Sequence, residues 1–470
     1  MTRTSAFRLA RGACVAALAM AAGAVPGALQ AQDNRPCEIV ITGVVRGADT
    51  TRLYSVTTPS GGRDTYVGGI VDATCEGQGN RLLADSAEHF AQRGLLILYH
   101  NVRYTEPRVT ITSDKMFYYT REERIVAEGN VKGRTATGTR FEGPMMDYYR
   151  AKPGMRVHPY WTATGRPFVR MSPEETGAAP GTSADSVDLT ANRVYSYNDS
   201  VVYASGRVVI ERSDLRATSD SAYLDNGREF ARLLREPVVV GKGERSFTLV
   251  GVEIDMYSRD RKIERVLSGG EAKVTSDSLV LTADTLDMRL KEQQMERVYA
   301  WGGRALADGA DQDIEADSMD ILMPGQRLER LHAVGRALAL SDVDTTNIIT
   351  DERDWITGDT LIAHFESVTD SLTAAARTLM RQVVALGSAR AFYQMAPSGG
   401  VRGKPNLSYN RGRQISVDFT DGEMARVQVS ADASGLFLEP LAPTPQDSTR
   451  GARRPAARPD TTASPREKRP

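Results

Sequence analysis

The residue type that recurs most often where chemistry could sit is aspartate. It stands inside a short phrase: apolar, any, small, Asp or Asn, any, apolar. The phrase carries Asp114 in Ile111–Tyr118, Asn192 in Leu189–Val194, Asp220 in Ala217–Leu224, Asp284 in Leu281–Met288, Asp317 in Ile314–Ile321 and Asp359 in Ile356–Leu361. Leu82-Leu-Ala-Asp85 reads as an earlier copy and Ile415-Ser-Val-Asp418 as a last one. A repeated carboxylate suggests calcium, but the glycine-rich nonapeptide pattern of repeat-bound calcium is missing. The apolar positions point elsewhere. Leu281 and Ala283 share one strand parity while Leu286 and Met288 take the other, and the same switch occurs at Ile314/Ala316 against Met319/Ile321. A strand keeps its apolar side on one core through such a switch only by a bulge or kink. The Asp residues are therefore expected to be structural, accepting hydrogen bonds from backbone N–H groups left unpaired at the irregularity.

Other chemistry is sparse. The five histidines, His89, His100, His158, His332 and His364, are scattered, and none has metal-ligand spacing. There is no Gly-x-Ser-x-Gly elbow, no His-Glu-x-x-His, no phosphate-binding loop and no paired-cysteine metal motif. No catalytic residue, metal or cofactor is expected, and the chain is not read as an enzyme.

The elements that would hold these residues are short strands. Between the Asp phrases lies a second phrase, a glycine or alanine followed by alternating small apolar residues: Ala127–Val131, Ala204–Ile210, Gly270–Val274, Gly303–Ala305, Ala333–Ala339 and Ala385–Ala391. Alternation over four to eight residues marks half-buried strands. The intervening segments carry turn chemistry, above all Asn226-Gly227 and Asp421-Gly422. Such hairpin signals predict antiparallel neighbours. They count against a polysaccharide-active enzyme on a parallel β-helix, whose coils need no hairpins.

The ends bound where the chain works. Arg3, Arg8 and Arg11 precede a short apolar run at Ala13–Val25, which reads as a secretory signal over residues 1–31. The run is too short to span a bilayer. Beyond it only Cys37 and Cys75 remain. In an oxidising compartment they most simply form one disulfide, with two free thiols as the alternative. A net charge of −1 gives no reason to expect nucleic acid as a partner. From about Pro440 the chain is rich in Pro, Ala and Arg without apolar periodicity, so residues 441–470 are expected to be disordered.

An apolar-x-small-Asp phrase alternating with a Gly-x-Val phrase resembles the OstA-like family of periplasmic lipopolysaccharide-transport proteins, which includes LptA and the N-terminal domain of LptD. The resemblance covers roughly Leu82 to Val429. It implies an all-β fold, an antiparallel open β-jellyroll with lipid acyl chains in its apolar interior, stacked edge to edge into a bridge across the periplasm. The partners it implies are lipopolysaccharide or a similar lipid, inner- and outer-membrane transport components, and further copies of the chain. The length allows one long jellyroll or two modules at 32–150 and 189–440, with 151–188 as a linker or long loop. The groove candidates are Val131, Val208, Ile210, Val238, Val240, Ala272, Val274, Ala305, Ala337, Ala339, Ala389 and Ala391. Their small members are expected to leave a cavity open. Cys37–Val45 is the candidate N-terminal edge strand. The competing reading is a structural β-scaffold that polymerises through its edges and binds no lipid.

Overall fold

The computed structural model describes residues 39–42, 45–46, 49–75, 79–171, 186–242, 246–276, 279–292, 294–309, 312–369, 376–397, 402–420 and 423–440. The expected signal segment, Cys37, Asp421-Gly422 and the tail 441–470 lie outside these residues. The fold is all-β, with no α-helix among the described residues. All but one small hairpin joins a 28-stranded sheet.

Hairpin neighbours pair throughout. Arg63–Cys75 pairs with Asn80–Phe90, then come Leu95–Glu106, Val109–Tyr119, Arg124–Thr135 and Arg140–Tyr149, each antiparallel to the last. The same meander runs from Val201–Glu211 to Asn406–Thr420. Asn226-Gly227 lies in the turn between Leu215–Asp225 and Phe230–Leu234, which pair as a hairpin.

Residues 151–188, expected as a linker or long loop, carry Tyr160–Thr164 and Phe168–Met171. These pair with Arg140–Tyr149 on one side and with Arg193–Tyr197 and Val187–Thr190 on the other. Hydrogen bonding therefore passes through the segment. Its glycines and prolines shape a rung of the sheet instead of separating modules. Lys152-Pro-Gly154 makes a tight turn closed by the Lys152–Arg156 bridge, and Gly165-Arg166 is a kink between two half-strands.

Each rung bends once near its middle. Positive φ falls on consecutive residues of alternate strands, as at Gly129-Asn130, Gly206-Arg207 and Gly335-Arg336. Between Ser205 and Val208 the glycine strand advances three residues while the facing strand advances two, from Ser221 to Ser219. That extra residue is a β-bulge. The parity switch lies on the Asp strand, as the apolar pattern requires: Val109, Ile111 and Ser113 are buried before Asp114, and Met116 and Tyr118 after it. The bulged residues sit opposite, on the glycine strand, because left-handed backbone is cheapest for glycine.

The Asp carboxylates fit over these glycines. A Cβ on Gly129 would lie 2.6 Å from Asp114 Oδ2, and one on Gly335 would lie 2.5 Å from Asp317 Oδ2. Asp284 and Asp359 face Gly302 and Gly387 in the same way. Their partners differ from expectation. Asn130 Nδ2 donates to Asp114 at 2.7 Å, Arg336 Nη2 to Asp317 at 2.5 Å, Arg235 Nη1 to Asp220 at 3.2 Å and Arg207 Nη2 to Asn192 Oδ1 at 3.2 Å. A side chain on the kink, not a backbone N–H, meets each of these acceptors.

The bends divide the sheet into two walls. One contains residues 71–75, 80–83, 102–106, 208–211, 305–308 and 337–341. The other contains residues 63–68, 86–90, 115–119, 201–205, 294–301 and 330–334. The buried side chains of both form one continuous core from Val67 to Val417. The kinks lie along one seam of this sandwich, and strand ends of the two walls meet along the other, the mouth, at Glu106 and Arg150, at Met171 and Asn226 and at Arg212 and Arg261.

Candidate functional site

The candidate site is the interior between the walls. Alternation places Val131, Val208, Ile210, Ala272, Val274, Ala305, Ala337, Ala339, Ala389 and Ala391 inside, all buried. Val238 and Val240 face outward, and Val239 between them is fully buried. Arg235 and Glu236 have positive φ just before them, so parity is set by that kink and cannot be counted through from the preceding strand.

The interior is closed. Ala272, Ala305 and Ala337 are 0% exposed and Val131 1%, so a water-sized probe does not reach them. The small residues expected to leave an open cavity lie instead in close-packed surroundings. The lining changes along the meander. Its fully buried aromatic rings, Tyr104, Tyr118, Phe141 and Trp161, lie in the first part, where Phe141 stacks on Trp161 with ring centroids 5.1 Å apart. From Ala272 to Val417 the buried hydrophobic residues are aliphatic or methionine.

Near Glu106 the mouth is held shut by a buried polar cluster. Tyr104, Glu106 and Asn80 come from the ends of one wall. Tyr118, Glu123, Tyr148 and Arg150 come from the ends of the other. The Arg150 guanidinium donates to Glu106 Oε2 at 2.7 Å, to Glu123 Oε2 at 2.6 Å and to Asn80 Oδ1 at 3.1 Å. Tyr104 donates to Glu106 at 2.9 Å, Tyr118 to Glu123 at 2.9 Å, and Tyr148 donates to Glu106. Burial, then the neighbouring carboxylates, push the Tyr104, Tyr118 and Tyr148 phenols well above their usual range. Burial pulls the guanidinium down, but Tyr104, Glu106, Tyr118 and Glu123 outweigh it, so Arg150 is held charged more firmly than usual. Burial likewise raises Asp199 at the same rim, Arg108 opposing and Glu106 adding to the rise.

Cys75 Sγ lies 3.9 Å from Tyr118 OH, and Cys75 is disulfide-bonded. Two further bonds cross the mouth, from Asn226 Nδ2 to Met171 Sδ at 3.6 Å and from Arg212 Nη2 to the Arg261 carbonyl at 2.7 Å. Sequence reasoning missed this cluster. Its members come from strand ends up to 70 residues apart, as between Asn80 and Arg150, and only their types, charged residues next to turns, offered a signal.

The other two features concern the ends and the histidines. Ile39–Thr42 and Arg52–Thr57 form the first edge, both pairing with Arg63–Cys75. Ser434–Leu438 and Glu423–Ser430 form the last, both on Asn406–Thr420. Leu53, Tyr54 and Val56 are exposed at the first edge, and Leu436, Phe437 and Leu438 at the last. Among the described residues no group of three or more His, Cys, Asp or Glu side chains is placed to hold a metal ion. No family model matches the chain, and no curated protein matches it.

Proposed function

We propose that the chain is an exported, periplasmic lipid-carrying β-jellyroll of the OstA-like kind, which holds the acyl chains of lipopolysaccharide or a similar lipid between its two walls. The observation that carries this reading is the uninterrupted apolar interior. It runs from Val67 to Val417 between walls whose backbone is continuous along one seam. Acyl chains are held there by the area they bury, about 25 cal/mol per Å². Among the described residues the strands at both edges pair on one side, beside exposed large apolar side chains. That chemistry suits strand addition by a further copy or by membrane-anchored transport components.

The test is a photoreactive residue at Val208 or Ala337 in the folded, exported chain. Adducts with lipopolysaccharide are expected at both. Their absence at every interior position would sink the carrier reading. One observation favours a second reading, a scaffold that polymerises through its edges and binds no lipid: the interior is close-packed at Ala272, Ala305 and Ala337. That reading predicts concentration-dependent assembly with no lipid adduct.

A further inference from the structure

The outer face of one wall carries a feature that interior lipid binding does not use. A single file of aromatic rings crosses consecutive strands. Tyr149 meets Tyr160 at 4.4 Å between centroids, Tyr160 meets Tyr195 at 5.6 Å, Tyr195 meets Tyr203 at 5.9 Å and Tyr203 meets Tyr223 at 5.0 Å. The file continues through Phe230 to Tyr257 at 6.1 and 5.2 Å. At Tyr257 it runs into a file of arginines, since the Arg265 guanidinium lies 5.3 Å from the Tyr257 ring centroid. Arg265 is directly opposite Arg289, Arg289 is opposite Arg297, and Arg330 follows across Leu322.

Like charges directly opposite on neighbouring strands destabilise a sheet. Here the offset is incomplete. Arg265 and Arg289 share Asp287, at 2.8 and 3.0 Å, and Arg297 binds Asp320 at 2.7 Å. The ridge Arg265, Arg289, Arg297 and Arg330 thus outnumbers its two carboxylates on a chain whose net charge is −1. A guanidinium has five N–H donors, so the bonds to Asp leave others for an incoming anion.

We propose that this outer face binds an anionic polysaccharide, with sugar rings laid on Tyr195, Tyr203 and Tyr223 and carboxylate or phosphate groups at the arginine ridge. Strands lie about 4.8 Å apart, so the ring file from Tyr149 to Tyr257 is roughly 30 Å long, and it is one ring wide except where Tyr197 lies beside Tyr195 on the same face. That shape suits an extended chain. A bilayer would require a broad area of projecting apolar side chains. Tyrosine offers a flat apolar ring with a polar tip, as the C–H faces and hydroxyls of sugars require. This proposal stands apart from the interior reading and does not depend on it.

The test is electrophoresis of the whole chain through gels containing polygalacturonate, with dextran as the neutral glycan and phosphatidylglycerol vesicles as the bilayer. Retardation by polygalacturonate beyond that by dextran is expected. Tyr195→Thr/Tyr203→Thr and Arg289→Gln/Arg330→Gln should each weaken it about three- to tenfold, as loss of ring stacking or of paired anions implies. Each double variant is checked for an unchanged melting temperature, and either one alone suffices for the comparison. No retardation, equal retardation by dextran, retardation unchanged in the folded variants, or binding to vesicles but not to polygalacturonate would overturn the proposal.

Discussion

Replacing Arg150 with Met would remove the cation on which two buried carboxylates depend. The side chains of Arg150 and Glu106 are each 5% exposed and that of Glu123 8%, so neither carboxylate can turn to water in place. Breaking a buried pair by deleting one partner costs about 3–5 kcal/mol, because the remaining charge is left uncompensated. One guanidinium here serves Glu106 and Glu123 together, which puts the expected cost at the upper end. Unfolding entropy near 2.1 cal/mol/K per residue gives roughly 1 kcal/mol per kelvin for a chain of 470 residues. The expected fall in melting temperature is therefore about 5 °C if the chain melts as one unit. A sharper assay is hydrogen exchange, which resolves local opening. Amides in 102–106 and 145–150 should lose protection, while those in 330–341 should not. A neutral triple variant, Glu106→Gln/Glu123→Gln/Arg150→Met, should recover most of the loss. An Arg150→Met protein that melts within about 1 °C of the parent, with unchanged exchange at 102–106, would refute the clasp as a stabilising element.

Gly335→Ala should destabilise by at least about 1–2 kcal/mol, since its φ is +84° and the new Cβ would strike the Asp317 carboxylate; Gly68→Ala, with nothing within 4 Å, is the near-neutral control in the same melting experiment. Asp354 is pushed up to about 6 by burial, against hydrogen bonds from the Gln394 side chain and backbone. Its folded-state value lies above the unfolded one, near 3.9, so its contribution is fully present below about pH 4 and lost as pH rises through about 6. Asp354→Asn should remove that decline, and parallel melting curves against pH for the two proteins would contradict it. Ala337→Leu should cost about 1–3 kcal/mol by overpacking a closed interior; a neutral or stabilising result in chemical denaturation would mean that a void lies beside Ala337.

The kinked antiparallel meander was legible because period-two alternation and a parity switch are properties of a single strand. Asp114, Asp220 and Asp317 declared a bend by the side chains flanking them, without any knowledge of their neighbours. The partner of each bend was not legible in the same way. That Gly129 lies under Asp114, and that Asn130 supplies the hydrogen bond, depends on register between strands. Val238 and Val240 show how parity is lost when a kink falls between the residue counted from and the residue counted to. The proline- and glycine-rich stretch from 151 to 188 read as a linker or long loop because turn residues, such as those of 151–171, mark bends within a rung as readily as gaps between modules. The Arg150 cluster and the tyrosine file were out of reach for a further reason. Both join residues that become neighbours only after the walls fold together or the strands align.

The closed interior and the lipid reading can be reconciled through the way the walls are joined. Every rung passes through the bend, so covalent backbone ties the walls together along the whole seam. Separation at the seam would require the bulges to straighten, which the glycine–carboxylate contacts at Asp114, Asp284, Asp317 and Asp359 oppose. Among the described residues the bonds across the mouth come from side chains. Near Arg150 that joint consists of buried charge-assisted bonds and is costly to break. At Ala305, Ala337 and Ala389 the interior is lined by small residues. Widening there sacrifices mainly dispersion contacts, which an entering acyl chain would restore. A hinge along one side and a clasp at one end make the walls part from the mouth beside the later rungs. Lipid adducts at both positions, but more abundant at Ala337 than at Val208, would be the mark of that motion.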